Sequence, residues 1–217
     1  MKKVLSIIVY ILLVTELSSQ IDPEAKEILD KLSEKTKNMP AIEAKFNYKV
    51  KDKKEGSEYQ NEGHIILKGD KYKLNLLGTV IYFDGRTMWN HLLEAEEVHI
   101  TEPDEEEMEF FFSHPSKLFI IDESDFKISY VGESVENHTK IHDIDLYPID
   151  LNNSYFRIKL NINEKKNELV SIKAFGKVGI NYTVEIIEFN SKNNVNDSFF
   201  KFNKSEYPKI EIIDLRE

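Results

Sequence analysis

Two histidines followed by two aspartates are the nearest approach to a chemical site in this sequence. His138 and His142 are four residues apart, and Asp143 and Asp145 come directly afterwards. Imidazole and carboxylate groups bind metals, and on a helix this spacing places two ligands on one face. Here the surrounding residues alternate as in a strand, where the two histidines share a face but lie far apart. We therefore predict no metal site, and a metal hydrolase remains only an alternative.

Other catalytic signatures do not stand out. The sequence has no Gly-x-Ser-x-Gly motif, no phosphate-binding loop and no evident pair of catalytic acids. We predict a protein that is not an enzyme and needs no cofactor. A net charge of −10 argues against nucleic acid and anionic bilayer surfaces as partners. Without cysteines, the chain must be stabilised by its core and not by disulfides.

Three consecutive phenylalanines, Phe110, Phe111 and Phe112, follow an acidic run at residues 102–109. Acids in front and apolar residues behind are typical of a short helix or two, broken near Pro115. The three rings cannot all point inward from one helix or strand, so at least one is exposed or covers an opening. The three rings could belong to a loop that plugs the end of a barrel or to a mobile lid, and both alternatives place them at the opening. The acidic run is either a solvated helix start or a docking patch for a basic partner.

Strand-like alternation dominates the rest of the chain and is strongest at residues 154–190, where three segments are joined by short turns. Similar segments fill residues 41–101 and 126–147, and the end of the chain, at 199–202 and 209–215, adds one or two more. About ten to twelve strands are too many for one flat sheet, so we expect a curled barrel or half-barrel. The predicted fold class is mainly β, with α-helical additions.

One apolar face of these strands needs a cover, either from protein side chains or from a ligand. On the sequence alone, an ordinary packed core and a binding cavity both remain open. The residues assigned to this face are Phe46, Tyr48, Ile66, Tyr72, Leu74, Leu76, Trp89, Phe156, Ile158, Leu160, Ile172, Tyr182, Val184 and Ile186.

Residues 1–20 have the pattern of a secretory signal peptide: a basic start, an apolar core at residues 4–14 and a small polar exit. The apolar core is too short for a comfortable membrane span, and no cysteine near the exit could carry a lipid anchor. We predict cleavage near Gln20 and an exported single domain at 21–217.

The exported chain is predicted to begin with a helix. Asp22 suits the N-cap, Pro23 the first turn, and Leu29 and Leu32 belong to a narrow apolar stripe that runs to about Lys37.

This order of elements resembles the LolA family of periplasmic lipoprotein carriers and its relatives, the LolB receptor and the RseB sensor domain. The likeness covers nearly the whole exported chain through loose motifs. They are a helix before the first strand, residues 62–68 before a tight turn, the "sDGktlW"-like hairpin at 83–89, the "tPaalL"-like segment at 113–119 and the "yrl.P"-like strand at 143–148.

The resemblance implies an incompletely closed antiparallel barrel with a helical lid over an apolar cavity for lipoprotein acyl chains. It implies a monomer that carries lipoproteins from an inner-membrane ABC transporter to an outer-membrane acceptor. The lid would include Leu29, Leu32, Phe110, Phe111, Phe112, Leu118 and Phe119. An envelope sensor or scaffold of the RseB type, which binds a protein partner or a lipid signal, is the alternative.

The family ties its lid to the barrel with an arginine in a "P-x-x-F-R-W" stretch. The corresponding residues here are 69–74, where Lys73 keeps the charge but lacks the planar fork of arginine. Lys73 is therefore the candidate latch.

Overall fold

The computed structural model describes residues 21–102, 115, 121, 123–136 and 138–216. Its helix, α1, spans Pro23–Lys37 and begins at the N-cap Asp22, whose carboxylate accepts hydrogen bonds from the backbone of Glu24 and Ala25. The predicted helix is confirmed at both ends. In the part of the chain described, no helix combines the length and apolar character needed to cross a membrane.

Within the described ranges, twelve strands form one sheet. Their bounds are β1 Ile42–Asp52, β2 Glu58–Lys68, β3 Lys71–Leu76, β4 Thr79–Phe83, β5 Met88–Leu92, β6 Glu97–Thr101, β7 Phe126–Glu136, β8 Thr139–Pro148, β9 Tyr155–Asn163, β10 Glu168–Gly176, β11 Ile180–Ser191 and β12 Glu211–Asp214.

The strand order is β12-β6-β5-β4-β3-β2-β1-β11-β10-β9-β8-β7, so β1 joins two antiparallel meanders by pairing with β11. The last strand, β12, pairs parallel to β6. Neither of the outermost strands, β12 and β7, pairs with the other, and the sheet is therefore not closed. The predicted curled, incompletely closed fold is confirmed.

The main core lies on the face of the sheet that also contacts α1. It contains Leu29 and Leu32 of the helix together with alternate residues of the strands, such as Phe46, Leu74 and Leu160. We call this side of the sheet the inner face. Alternation puts every second residue of a strand on the same side, which explains why the predicted periodicity places most of the core correctly.

The opposite, outer face carries a second apolar layer over β3–β6. Residues 199–202 were predicted as a strand, but the first two of them belong to the 3₁₀ helix Asp197–Phe200. Asn196 caps this helix, because its side-chain oxygen accepts a hydrogen bond from the backbone of Ser198. This segment contacts β3. Together with the residues that follow it, it supplies the aromatic and apolar side chains Phe199, Phe200, Phe202, Tyr207 and Ile210. We call this layer the outer cluster.

Candidate functional site

The inner face brings together most of the predicted lining residues. Phe46, Tyr48, Tyr72, Leu74, Leu76, Ile158, Leu160, Ile172 and Val184 belong to the buried core, and Tyr182 and Ile186 pack against it. They come from both meanders, so a continuous apolar surface crosses the seam between β1 and β11. We call these residues the inner wall.

Register explains how the seam is built. Phe46 lies opposite Ile186 and Tyr48 opposite Val184 in the β1–β11 pair. The rings of Tyr48 and Tyr182 are stacked, with centroids 6.4 Å apart and planes inclined by 18°. Opposed aromatic and β-branched side chains are favourable cross-strand pairs, so the same contacts that join the meanders also shape the wall.

Apolar residues also form the two ends of the wall, in β9–β10 and in β3. In β9 and β10, Ile158 lies opposite Ala174 and Leu160 opposite Ile172. In β3, burial raises the pKa of the Tyr72 hydroxyl far above its ordinary value, so this ring stays neutral. The wall is therefore apolar and uncharged along its length.

Helix α1 lies over the part of the wall formed by the second meander. Leu29 and Leu32 are buried there. Lys35 Nζ lies 2.7 Å from a carboxylate oxygen of Glu168, and Lys26 Nζ lies 2.8 Å from one of Glu123. The remaining predicted lid residues, Phe110, Phe111, Phe112, Leu118 and Phe119, lie outside the described residues.

Three of the predicted lining residues lie on the outer face. Ile66 and Trp89 are paired with Lys73 and Tyr82, which alternate with inner-face neighbours. Ile66 is buried all the same, because apolar residues cover both faces of the sheet there. Alternation alone does not say which side of a strand faces the helix.

A β-bulge displaces the third, Phe156. The register between β9 and β10 shifts at Phe175/Gly176, which reverses the faces of the residues at the start of β9. Phe156 is therefore 49% exposed and packs against Phe175, while Tyr155 packs against the core instead. The sequence reading missed Tyr155, although Gly176 in the partner strand was a usable signal of a bulge.

Lys73 also lies on the outer face, between the inner-face residues Tyr72 and Leu74. Its ammonium is over the rings of Tyr82 and Phe199, at 4.6 Å and 4.8 Å from their centroids. A latch to α1 would need the opposite side of the sheet. In the residues described, Lys73 instead contacts the outer cluster.

The two histidines lie at the start of β8 and do not form a metal centre with the residues described. His138 is in the turn before the strand, and His142 Nδ1 is 3.2 Å from the hydroxyl of Tyr130. Within the described ranges, no group of three metal-binding side chains is present. The other ring nitrogen of His142, Nε2, lies 3.8 Å from a carboxylate oxygen of Glu164, so the two ring nitrogens face a tyrosine and a glutamate.

Comparison with protein families gives a match over most of the chain. The model of the family described as "Outer membrane lipoprotein carrier protein LolA" matches residues 37–203. This chain belongs to the LolA family. The match begins at the end of α1, includes all of the inner wall, and ends within the outer cluster, after Phe202. Comparison with curated proteins gives no match.

Two solved structures share the fold of this LolA family member and are distant in sequence. An uncharacterized conserved protein from Thermus thermophilus aligns with a TM-score of 0.55 and 12% identity, over 88% of this chain and 99% of that one. A domain from Vibrio parahaemolyticus, described as a candidate outer membrane lipoprotein-sorting protein, aligns with a TM-score of 0.50 and 10% identity, over 84% and 97%. These likenesses show a shared fold.

Proposed function

We propose that this LolA family protein is a non-enzymatic periplasmic carrier that binds the acyl chains of lipoproteins and transports them from the inner to the outer membrane. The observation that carries the proposal is the inner wall: a continuous apolar surface on a sheet that does not close. Family membership supports the choice of cargo. The inner wall is the proposed binding surface, and α1 with residues 110–119 is the proposed lid.

Hydrocarbon binding asks little of the site beyond shape and exclusion of water. Each methylene that leaves water contributes about 0.8 kcal/mol, so one acyl chain of ordinary length supplies ample affinity. Phe46, Tyr48 and Tyr182 offer broad faces to such a chain. No charged group is needed for this step.

The open edges of the sheet give the wall room to adjust. Since β7 and β12 do not pair, the two meanders can separate at that side without loss of ladder hydrogen bonds. The ion pairs of α1 with Glu123 and Glu168 are partly exposed, and pairs of this kind contribute little. The contacts that α1 must give up to admit cargo are chiefly those of Leu29 and Leu32.

Export through a cleaved signal at residues 1–20 is part of the proposal. We expect the mature chain to begin near Ile21. Ile21 pairs with Ile128 at the edge of β7, and Asp22 donates a backbone hydrogen bond to the carbonyl of Ile128 (3.1 Å) before capping α1. N-terminal sequencing of the protein purified from the periplasm tests this directly.

A binding titration tests the carrier function. Two neighbouring residues of β11 make a matched pair: Ile186 packs against the core from the inner wall, whereas Ile187 is 51% exposed. We expect the wild-type protein to bind a dansyl-labelled fatty acid saturably. Ile186→Asp should weaken binding about tenfold or more, because a carboxylate beside hydrocarbon must be desolvated.

Ile187→Asp is the control and should bind as the wild type does. Circular dichroism of each variant checks that the sheet is intact. Absence of saturable binding to the wild-type protein would refute an acyl-binding wall, whatever the variants do.

The transporter and the outer-membrane acceptor are the proposed partners. Crosslinking in intact cells and recovery of the protein should return an inner-membrane ABC transporter and lipoproteins. Recovery of an anti-sigma factor in their place would favour the sensor function.

A further inference from the structure

A cleft on the outer face lies apart from the inner wall. Its volume is about 750 Å³, and it opens between β3–β4 and the segment at 192–206. Lys73 and Tyr82 form its sheet side, and Asn193, Asn194 and Phe199 line its other side. None of these residues is used by the proposed acyl site.

Lys73 differs from the other lysines of the cleft in lacking a counter-ion. Lys192 lies 2.9 Å from Glu43 and Lys201 lies 3.3 Å from Asp84. No carboxylate of the described residues comes within ion-pair distance of Lys73, whose charge is held by the aromatic faces of Tyr82 and Phe199. Burial lowers the pKa of Lys73, with the more distant Glu206 acting in the opposite direction. An anion entering the cleft would supply the missing counter-charge.

Side-chain amide groups line the same cleft as the ammonium of Lys73. Asn193 and Asn194 line the cleft, and their side chains form no hydrogen bond with the described part of the protein. Asn196 uses its side-chain oxygen to cap the 3₁₀ helix, which leaves its NH2 group to donate. The cleft thus combines the ammonium of Lys73, which has no counter-ion within ion-pair distance among the described residues, with several N–H donors. The paired Lys192 and Lys201 and the carboxylate of Glu206 also line it.

The wall that carries these amides is anchored. Lys68 Nζ donates to the carbonyl of Val195 (2.9 Å) and pairs with Asp197 (2.8 Å), which also pairs with Lys71. The two lysines lower the pKa of Asp197 to about 2. A wall held in place before binding loses less entropy when a ligand arrives.

We propose that this cleft binds a small organic phosphate ester, with the phosphate on Lys73 and the asparagine amides and the organic part against Phe199. A phosphate has three terminal oxygens and can use the ammonium and more than one amide at once, whereas a carboxylate has two oxygens. Phe199 is 37% exposed and offers an aromatic face at the same place.

The source of the phosphate is a soluble ester or a lipid headgroup. The net charge of −10 opposes approach to an anionic bilayer. We therefore expect a soluble ester, and vesicles form the second arm of the test.

The experiment is calorimetric titration of the purified protein with phenyl phosphate, and with phenol as the uncharged counterpart. We expect saturable binding of phenyl phosphate alone. Lys73→Met should weaken it about tenfold or more, since a charge-assisted hydrogen bond is lost, and Lys73→Arg should retain most of it. Asn194→Gly keeps the left-handed backbone of a residue whose φ is 59° and should weaken binding severalfold by removing one amide.

Lys173→Met is the matched control. Lys173 also lies over an aromatic ring, that of Phe175 at 5.3 Å, but it does not line the cleft. The Lys173→Met variant should bind phenyl phosphate as the wild-type protein does. Binding to phosphatidylglycerol vesicles that Lys73→Met abolishes, without binding of phenyl phosphate, would identify a lipid headgroup as the source.

Failure of the wild-type protein to bind either probe would overturn the proposal. So would equal binding by Lys73→Met and the wild type, or an equal loss in Lys173→Met. Fatty-acid binding, measured on the same preparations, reports on the inner wall separately.

Discussion

The phenyl ring of Phe46 lies directly across Gly63, its partner on the neighbouring strand. A Cβ atom built on Gly63 would come within 2.3 Å of Cζ of Phe46, far inside van der Waals contact. Glycine is therefore required at this point of β2 by the ring that covers it. The ring in turn fills the inner wall at the seam between the two meanders.

Gly63→Ala is expected to destabilise the protein by about 1–3 kcal/mol, because the new methyl group forces Phe46 out of its position. In the background of Phe46→Leu the same change should cost much less, since the ring that clashes is gone. Urea unfolding of the two single variants and the double variant measures this coupling. Additive costs would mean that the ring does not restrict position 63.

Two adjacent phenylalanines of the outer cluster are expected to differ sharply. Phe200 is fully buried, whereas Phe199 is 37% exposed at the edge of the cleft. Phe200→Ala should cost about 3–5 kcal/mol in the free energy of unfolding. Phe199→Ala should cost less than about 1 kcal/mol. Equal costs in urea unfolding would contradict the assignment of Phe200 to a structural layer.

His91 gives the outer cluster a dependence on pH. Burial, and then the charge of Lys73, lower the pKa of His91 in the folded protein, and its Nδ1 lacks a hydrogen-bond partner in the described structure. The unfolded chain therefore takes up a proton more readily, with a pKa of about 6.5. The contribution of His91 to the free energy of unfolding is therefore fully present above that pH, and it is lost as the pH falls below it.

His91→Leu should flatten this dependence. Urea unfolding between about pH 8 and pH 5 measures it, and a single histidine can account for at most about 1.4 kcal/mol per pH unit. Identical slopes in the wild type and the variant would show that His91 does not contribute. The rings of Phe202 and Tyr207 against His91 make an apolar replacement acceptable at this position.

Much of the fold could be predicted because local chemistry determines it. Asp22 and Pro23 mark the start of α1, and the alternation of β1 predicts its inner face. Strand order in the two meanders follows from short turns. The number of strands predicted the curl, and the family resemblance added the incomplete closure of the barrel, which periodicity does not contain.

The errors have a common physical origin, which is that alternation assigns residues to two faces without saying what covers each face. Ile66 and Trp89 were placed on the inner side and Lys73 was predicted to be a lid latch, although the segment after β11 makes the outer side a second apolar layer. Residues 79–83, which are apolar on both faces, were the available sign of it. At Phe156 a bulge reversed the faces, and a one-residue shift of this kind depends on the partner strand.

The most direct test of the inner wall is native mass spectrometry of the purified protein mixed with a synthetic triacylated lipopeptide in dilute detergent. We predict a soluble one-to-one complex for the wild-type protein and for Ile187→Asp, and its loss in Ile186→Asp. A wild-type protein that remains free of lipopeptide while correctly folded would contradict the carrier function.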